Sequence, residues 1–153
     1  MKDLWPEEIK AAEILTPVAI VRQQGEILGE RTRNLLLGKV RETRVSVRSA
    51  FSYSFNIVAP TMSYEYELFE FEYGLDLYPV IVKVEEEIGL DVLRGKRSGS
   101  IAGPLRVIEA ASEDEFLDLL KAILNARKTR KLISTLLAQI QTSAPASELP
   151  PGT

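Results

Sequence analysis

The chain contains no cysteine and no histidine. Without cysteine there are no disulfides, no thiol nucleophiles and no thiolate zinc sites. Without histidine the chain lacks the side chain that titrates nearest neutral pH, which is also the commonest metal ligand. A Ser-His-Asp triad, a Cys-His pair and any histidine-ligated metal are therefore excluded, and acid–base chemistry would fall to carboxylates, lysines, tyrosines and hydroxyls. No run approaches the roughly 18 consecutive apolar residues of a membrane span. The opening "MKDLWPEEIK" has no apolar core and places Asp3, Glu7 and Glu8 where a secretory signal would be acid-poor. These features predict a cytoplasmic protein without a membrane partner. A charge excess of one sign is also missing. Nineteen basic residues stand against 22 acidic ones, a net charge of -3. That balance speaks against chain-wide attraction to nucleic acid, so such a partner would need a local patch.

What is present is the composition of a globular domain, 45% hydrophobic and 27% charged over 153 residues, enough for one core. Residues 1–16 read as a lead-in, with Trp5 as an apolar anchor and Pro6 opening a short helical turn through Ile9 and Ala12. Thr16-Pro17 is a stronger start signal, a capping hydroxyl followed by proline at the first helical position. Helical spacing follows in Val18, Val21, Gly25, Leu28, Thr32 and Leu35, which predicts a helix reaching toward Gly38. Gly25 and Gly29 weaken it by about 1 kcal/mol each against alanine. They imply either an imperfect helix or a close neighbour on that face.

From Lys39 the period becomes two. "KVRETRVSVRS" places Thr43, Val45 and Val47 on one face and Glu42, Arg44, Ser46 and Arg48 on the other. "FSYSFNIVA" alternates cleanly, with Phe51, Tyr53, Phe55 and Ile57 opposite Ser52, Ser54 and Asn56. "YEYELFEFEY" alternates too, but its phase flips: Tyr64 and Tyr66 are even, while Phe69, Phe71 and Tyr73 are odd. An extra residue near Leu68-Phe69, a β-bulge, would keep all five aromatics inward and Glu65, Glu67, Glu70 and Glu72 outward. The alternative is a strand covered by different elements at its two ends. The bulge is preferred because it keeps four charges out of the core.

Pro79 belongs at a strand's beginning or at an edge. Ile88, Leu90, Val92 and Leu93 form a short covering element. Residues 94–103 are rich in glycine and serine and read as a mobile loop. "LRVIEAA" is a last strand. Ser112 and Glu115 make a capping box before a helix carrying Phe116, Leu119, Leu120, Ile123 and Leu124. A further helical pattern runs through Leu132, Ile133, Leu136, Leu137 and Ile140, with Asn125 as the candidate joint. The expected fold class is α+β: an antiparallel four- to five-stranded sheet covered on one face by an N-terminal helix and one or two C-terminal helices. A single domain spans 1–142, and the proline-rich residues 143–153 form a disordered tail.

Four features carry candidate chemistry. Glu65, Glu67, Glu70 and Glu72 form an acidic strip suited to docking a basic partner surface, although a solvated face balanced by arginines explains them as well. Arg127, Lys128, Arg130 and Lys131, with Arg94, Lys96 and Arg97, offer an alternative patch for nucleic-acid phosphates. No aromatics interleave with them for base stacking, and charge at a helix end accounts for them equally. "VEEEIGLD" lacks the ordered spacing of a calcium loop, and "RGKRSGS" lacks the order of a phosphate loop, so neither metal nor cofactor is expected. The concentrated aromatics must be mostly core. Helices laid over a curved sheet can nevertheless leave a groove for an apolar ligand or a partner's helix.

The helix–sheet–helix order has loose analogues among small bacterial chaperones and immunity-type binding proteins, a likeness of fold that transfers no site. The expected function is that of a small non-enzymatic, protein-binding module, accessory, chaperone-like or immunity-type, using the glutamate strip. The alternative is a nucleic-acid-associated accessory protein using the basic cluster. A homodimer through an edge strand or an uncovered helix face is compatible with both.

Overall fold

A computed structural model of the chain describes residues 1–44, 51–93, 100–102 and 105–143. Residues 1–15 are exposed and carry neither helix nor strand, so the short turn expected after Pro6 is not formed. Helix α1 (Pro17–Arg31) begins as its sequence predicts: the Thr16 hydroxyl accepts from the Ala19 amide at 3.3 Å, and proline follows it. It ends earlier than the apolar spacing suggests. Arg33 and Asn34 adopt positive φ values of 53° and 64°. The Thr32 hydroxyl lies 2.9 Å from the Leu28 carbonyl and accepts from the Leu36 amide at 3.1 Å. A side chain thus replaces the next helical turn, and Gly38 falls in strand β1 (Leu37–Glu42) instead of at the helix end.

Gly25 and Gly38 explain each other. A Cβ on Gly25 would meet the Gly38 carbonyl, and one on Gly38 would meet the Gly25 Cα and the Phe55 ring. The close neighbour is therefore β1, and α1 lies backbone to backbone upon it.

Strand β1 pairs with β2 (Phe51–Ala59), which pairs with β3 (Tyr64–Tyr73), all antiparallel. Strand β4 (Val80–Glu85) follows directly after Pro79 and pairs with β3 and with β6 (Leu105–Ala110). These five strands make the sheet. A three-residue strand, β5 (Ser100–Ala102), adds to β6 at one edge, within the stretch expected to be loop. The bulge lies at Leu68: Phe55 faces Phe69 while the next residue, Asn56, faces Glu67. Phe69, Phe71 and Tyr73 are buried, and the ladder places them beside Phe55, Tyr53 and Phe51. Phe55 stacks on Phe69 at 5.4 Å and Tyr53 on Phe71 at 5.4 Å.

Strand β1 presents its faces in the reverse of the expected phase. Val40 is opposite Phe55 and Gly38 opposite Ile57, on the aromatic side, while Arg41 is opposite Ser54 on the polar side. The close seat of α1 at Gly38 fixes that choice. Residues 45–50 lie outside the described residues, and Arg48 with them. So do residues 94–99, including the arginines and lysine of the second basic stretch, and the tail from 144 onward.

Helix α2 (Glu86–Val92) is the short covering element, with Ile88 and Val92 buried. Helix α3 (Glu113–Leu124) is capped by the Ser112 hydroxyl, which accepts from the Glu115 amide at 3.2 Å. The reciprocal arm of the box is displaced by one residue, since the Glu115 carboxylate accepts from the Ala111 amide at 2.6 Å. Asn125 closes α3, and α4 (Arg127–Ser143) is a separate helix. Thr129, fully buried, donates its hydroxyl to the Ile123 carbonyl at 2.7 Å and so ties the two helices at their joint. The core lies between the aromatic face of the sheet and α1, α3 and α4, with Phe116 of α3 against Phe71 and Tyr78.

Candidate functional site

The glutamate row lies on the polar face of β3, but its members differ. Arg41 reaches across β2 to hold Glu65 with two hydrogen bonds, at 2.7 and 2.6 Å, and these hold the Glu65 carboxyl below its ordinary pKa. Glu72, half-buried, has Lys83 at 3.9 Å. Two of the four carboxylates thus already face cations of the same chain. Between the rows, Ser52, Ser54 and Asn56 are buried, because β2 is flanked on both sides by longer side chains. Their polar atoms are satisfied within the sheet. The Thr43 and Ser52 hydroxyls are 2.5 Å apart, and Asn56 donates to Ser54 at 2.9 Å. This face resembles a polar seam sealed by its own network more than an open strip.

Glu67 and Glu70 make no ion pair among the described residues, although Lys83 stands opposite Glu70 in the ladder. Glu67 is exposed overall, yet its carboxyl is raised to about 7, first by partial loss of water on the side toward the sheet, then by hydrogen bonding to Glu70 and repulsion from it. Because its ordinary value is 4.5, the folded state binds this proton more tightly than the unfolded chain does. Stability is therefore undiminished below about pH 4.5, falls as pH rises toward 7, and stays reduced above that. Glu67→Gln should leave stability unchanged near pH 4 and raise it at pH 8 by about 1 kcal/mol, a figure reduced for the solvent around this side chain. Urea titrations at the two pH values test this; an equal effect at both would show that Glu67 does not bind its proton more tightly in the folded chain.

The basic cluster does not make one patch. Lys128 Nζ lies 2.6 Å from Glu85 and 3.2 Å from Glu87, which raise its pKa above that of an ordinary ammonium group. The Tyr66 hydroxyl donates to the other Glu85 oxygen at 2.7 Å. The Arg127 amide donates to Asp91 at 2.8 Å, a carboxylate from α2 set against the first turn of α4. These contacts fasten α4 to α2. Arg130 turns the other way, and Lys131 is exposed. Among the described residues, no group of three or more Asp or Glu side chains comes together in a metal-holding arrangement.

Arg130 faces a groove of about 690 Å³ that opens between α1 on one side and α3 and α4 on the other. Its floor is the buried aromatic face of β2 at Phe55 and Ile57. Ile27 and Leu28 form one wall; Leu117, Leu120 and Leu124 of α3 form the other, with Ile133 of α4. Ile27 and Leu117 remain 41% exposed each, large apolar side chains at the mouth of an apolar cleft. Arg31, Lys121 and Arg130 stand on the rim, and among the described residues no carboxylate lines the groove.

A groove was legible in principle from the aromatic face, but its walls were not. Leu117 lies off the apolar stripe of α3 and Ile27 beside that of α1. An apolar residue displaced from its helix's buried stripe was the available signal. The groove's three cations come from three different helices, a convergence that spacing along one helix cannot reveal. No family model, curated protein or solved structure matches the chain.

Proposed function

We propose that the protein is a small binding module of the cytoplasm that takes an amphipathic, acidic segment of a partner protein into the groove between α1 and the C-terminal helices. The observation that carries this reading is the combination of an apolar floor and walls with a rim of three cations and no carboxylate. An apolar cleft of this size suits one face of a helix or a short extended peptide, and the rim selects segments that carry negative charge. No described helix is long and apolar enough to cross a membrane. The glutamate strip is the weaker docking surface, since Glu65 and Glu72 are engaged within the chain. The nucleic-acid reading is weakened likewise by the commitment of Lys128 to Glu85 and Glu87.

The test is tagged capture from host lysate, with and without nuclease, using three forms of the chain. Ile27→Glu with Leu117→Glu changes two exposed residues of the groove; Glu67→Lys with Glu70→Lys changes the strip. A protein retained by the wild type and the strip variant, and lost from the groove variant, is the expected result. Loss from the strip variant alone would return the function to the glutamates. Recovery that collapses with nuclease would move it to the basic residues.

A further inference from the structure

The same chain carries a segment of the kind that the groove would take. Within residues 1–15, Leu4 is 85% exposed, Trp5 76% and Ile9 71%, with Ile14 and Leu15 also open to water. Large apolar side chains held out together on a short segment need a surface to cover them. Trp5, Ile9 and Ala12 fall at the spacing of one helical face, behind Pro6, which is suited to a first turn. The segment carries Asp3, Glu7, Glu8 and Glu13 against Lys2 and Lys10. It is thus acidic and apolar where the groove is cationic and apolar.

We propose, building on the groove reading above, that the groove is filled by residues 3–15 of a second copy of this chain, the two copies exchanging these segments about a two-fold axis. The single chain argues for a second copy: its own residues 1–15 are exposed and line no part of the groove. Reciprocal exchange covers both grooves and both sets of exposed apolar residues. The trio Arg31, Lys121 and Arg130 then meets the acidic residues of the incoming segment.

Light scattering across a concentration series, with emission from Trp5 as a local reporter, tests the proposal. Trp5 is the only tryptophan in the chain. The full chain should show twice the chain mass and a blue-shifted emission that fades on dilution. Deleting residues 2–13 should give a folded monomer, and so should Ile27→Glu with Leu117→Glu. A synthetic peptide of residues 1–16 should bind the truncated chain, with affinity lowered roughly fivefold by Arg31→Gln with Arg130→Gln.

A monomer with shielded Trp5 would overturn the exchange in favour of the chain's own segment. A monomer with exposed Trp5 and no peptide binding would remove the segment as occupant. The groove reading would then be judged separately by lysate capture. A dimer that survives both the deletion and the groove substitutions would place the interface elsewhere and overturn the proposal.

Discussion

Gly25→Ala should lower the stability of the folded chain by about 2 kcal/mol, although alanine is the better helix former by about 1 kcal/mol. The two effects oppose each other, and geometry decides between them. The new methyl group would lie against the Gly38 carbonyl. That neighbour is backbone in a paired strand, so no rotamer change can relieve the contact. Helix α1 would have to lift away from β1, loosening Val18, Ile20 and Val21, which are buried in the core. Gly29→Ala is the internal comparison. A Cβ there meets the Asn34 side-chain oxygen at 3.2 Å, an atom at the end of a side chain, so the loss should be smaller. Urea unfolding of the two variants measures the difference. A Gly25→Ala protein as stable as the wild type would mean that α1 does not rest on β1 at this point. Because α1 is one wall of the groove, the same variant should also weaken whatever the groove holds.

The sequence announced the features that depend on neighbours along the chain. The phase flip at Leu68 foretold the bulge, Thr16-Pro17 the start of α1, Ser112 the start of α3, and Pro79 the place where a strand could begin. Each rests on local sterics or on one short-range hydrogen bond. The features it hid depend on the third dimension. The end of α1 turns on Thr32 bonding forward to Leu36, which apolar spacing does not register. The faces of β1 follow from its contact with a helix, while the alternation read from Glu42 to Arg48, at and beyond its end, pointed the other way. The glutamates of β3 were conspicuous as a row, yet Arg41 claims one from two strands away. The groove gathers side chains from three helices and one strand, and apart from the displaced Ile27 and Leu117 none is unusual in its own segment. A pair of glycines four residues apart was the one long-range signal written plainly. It recorded that something lay close without saying what.

Phe116→Ala should be the most damaging single truncation, costing about 4 kcal/mol. Phe116 is fully buried in the first turn of α3, its ring centroid 6.2 Å from that of Phe71 and 6.4 Å from that of Tyr78. Removing the ring leaves a void between helix and sheet that neighbours on a paired strand cannot close, so the cavity adds to the lost burial. Local helix formation is not at stake, since Ser112 and Glu115 still cap the turn. The loss is one of tertiary contact alone. Phe116→Leu, which keeps most of the volume, should therefore cost less than half as much, about 1.5 kcal/mol. The ratio of the two distinguishes a packing effect from a helix effect, because leucine and phenylalanine differ little as helix formers beside this gap. Equal losses in the two variants, read from denaturant midpoints at constant slope, would show that α3 is not seated on the sheet through this ring. The wall that α3 gives the groove, from Leu117 to Leu124, begins one residue after Phe116. A chain that retains its strands but loses this anchor should lose the groove's occupant before it loses its fold.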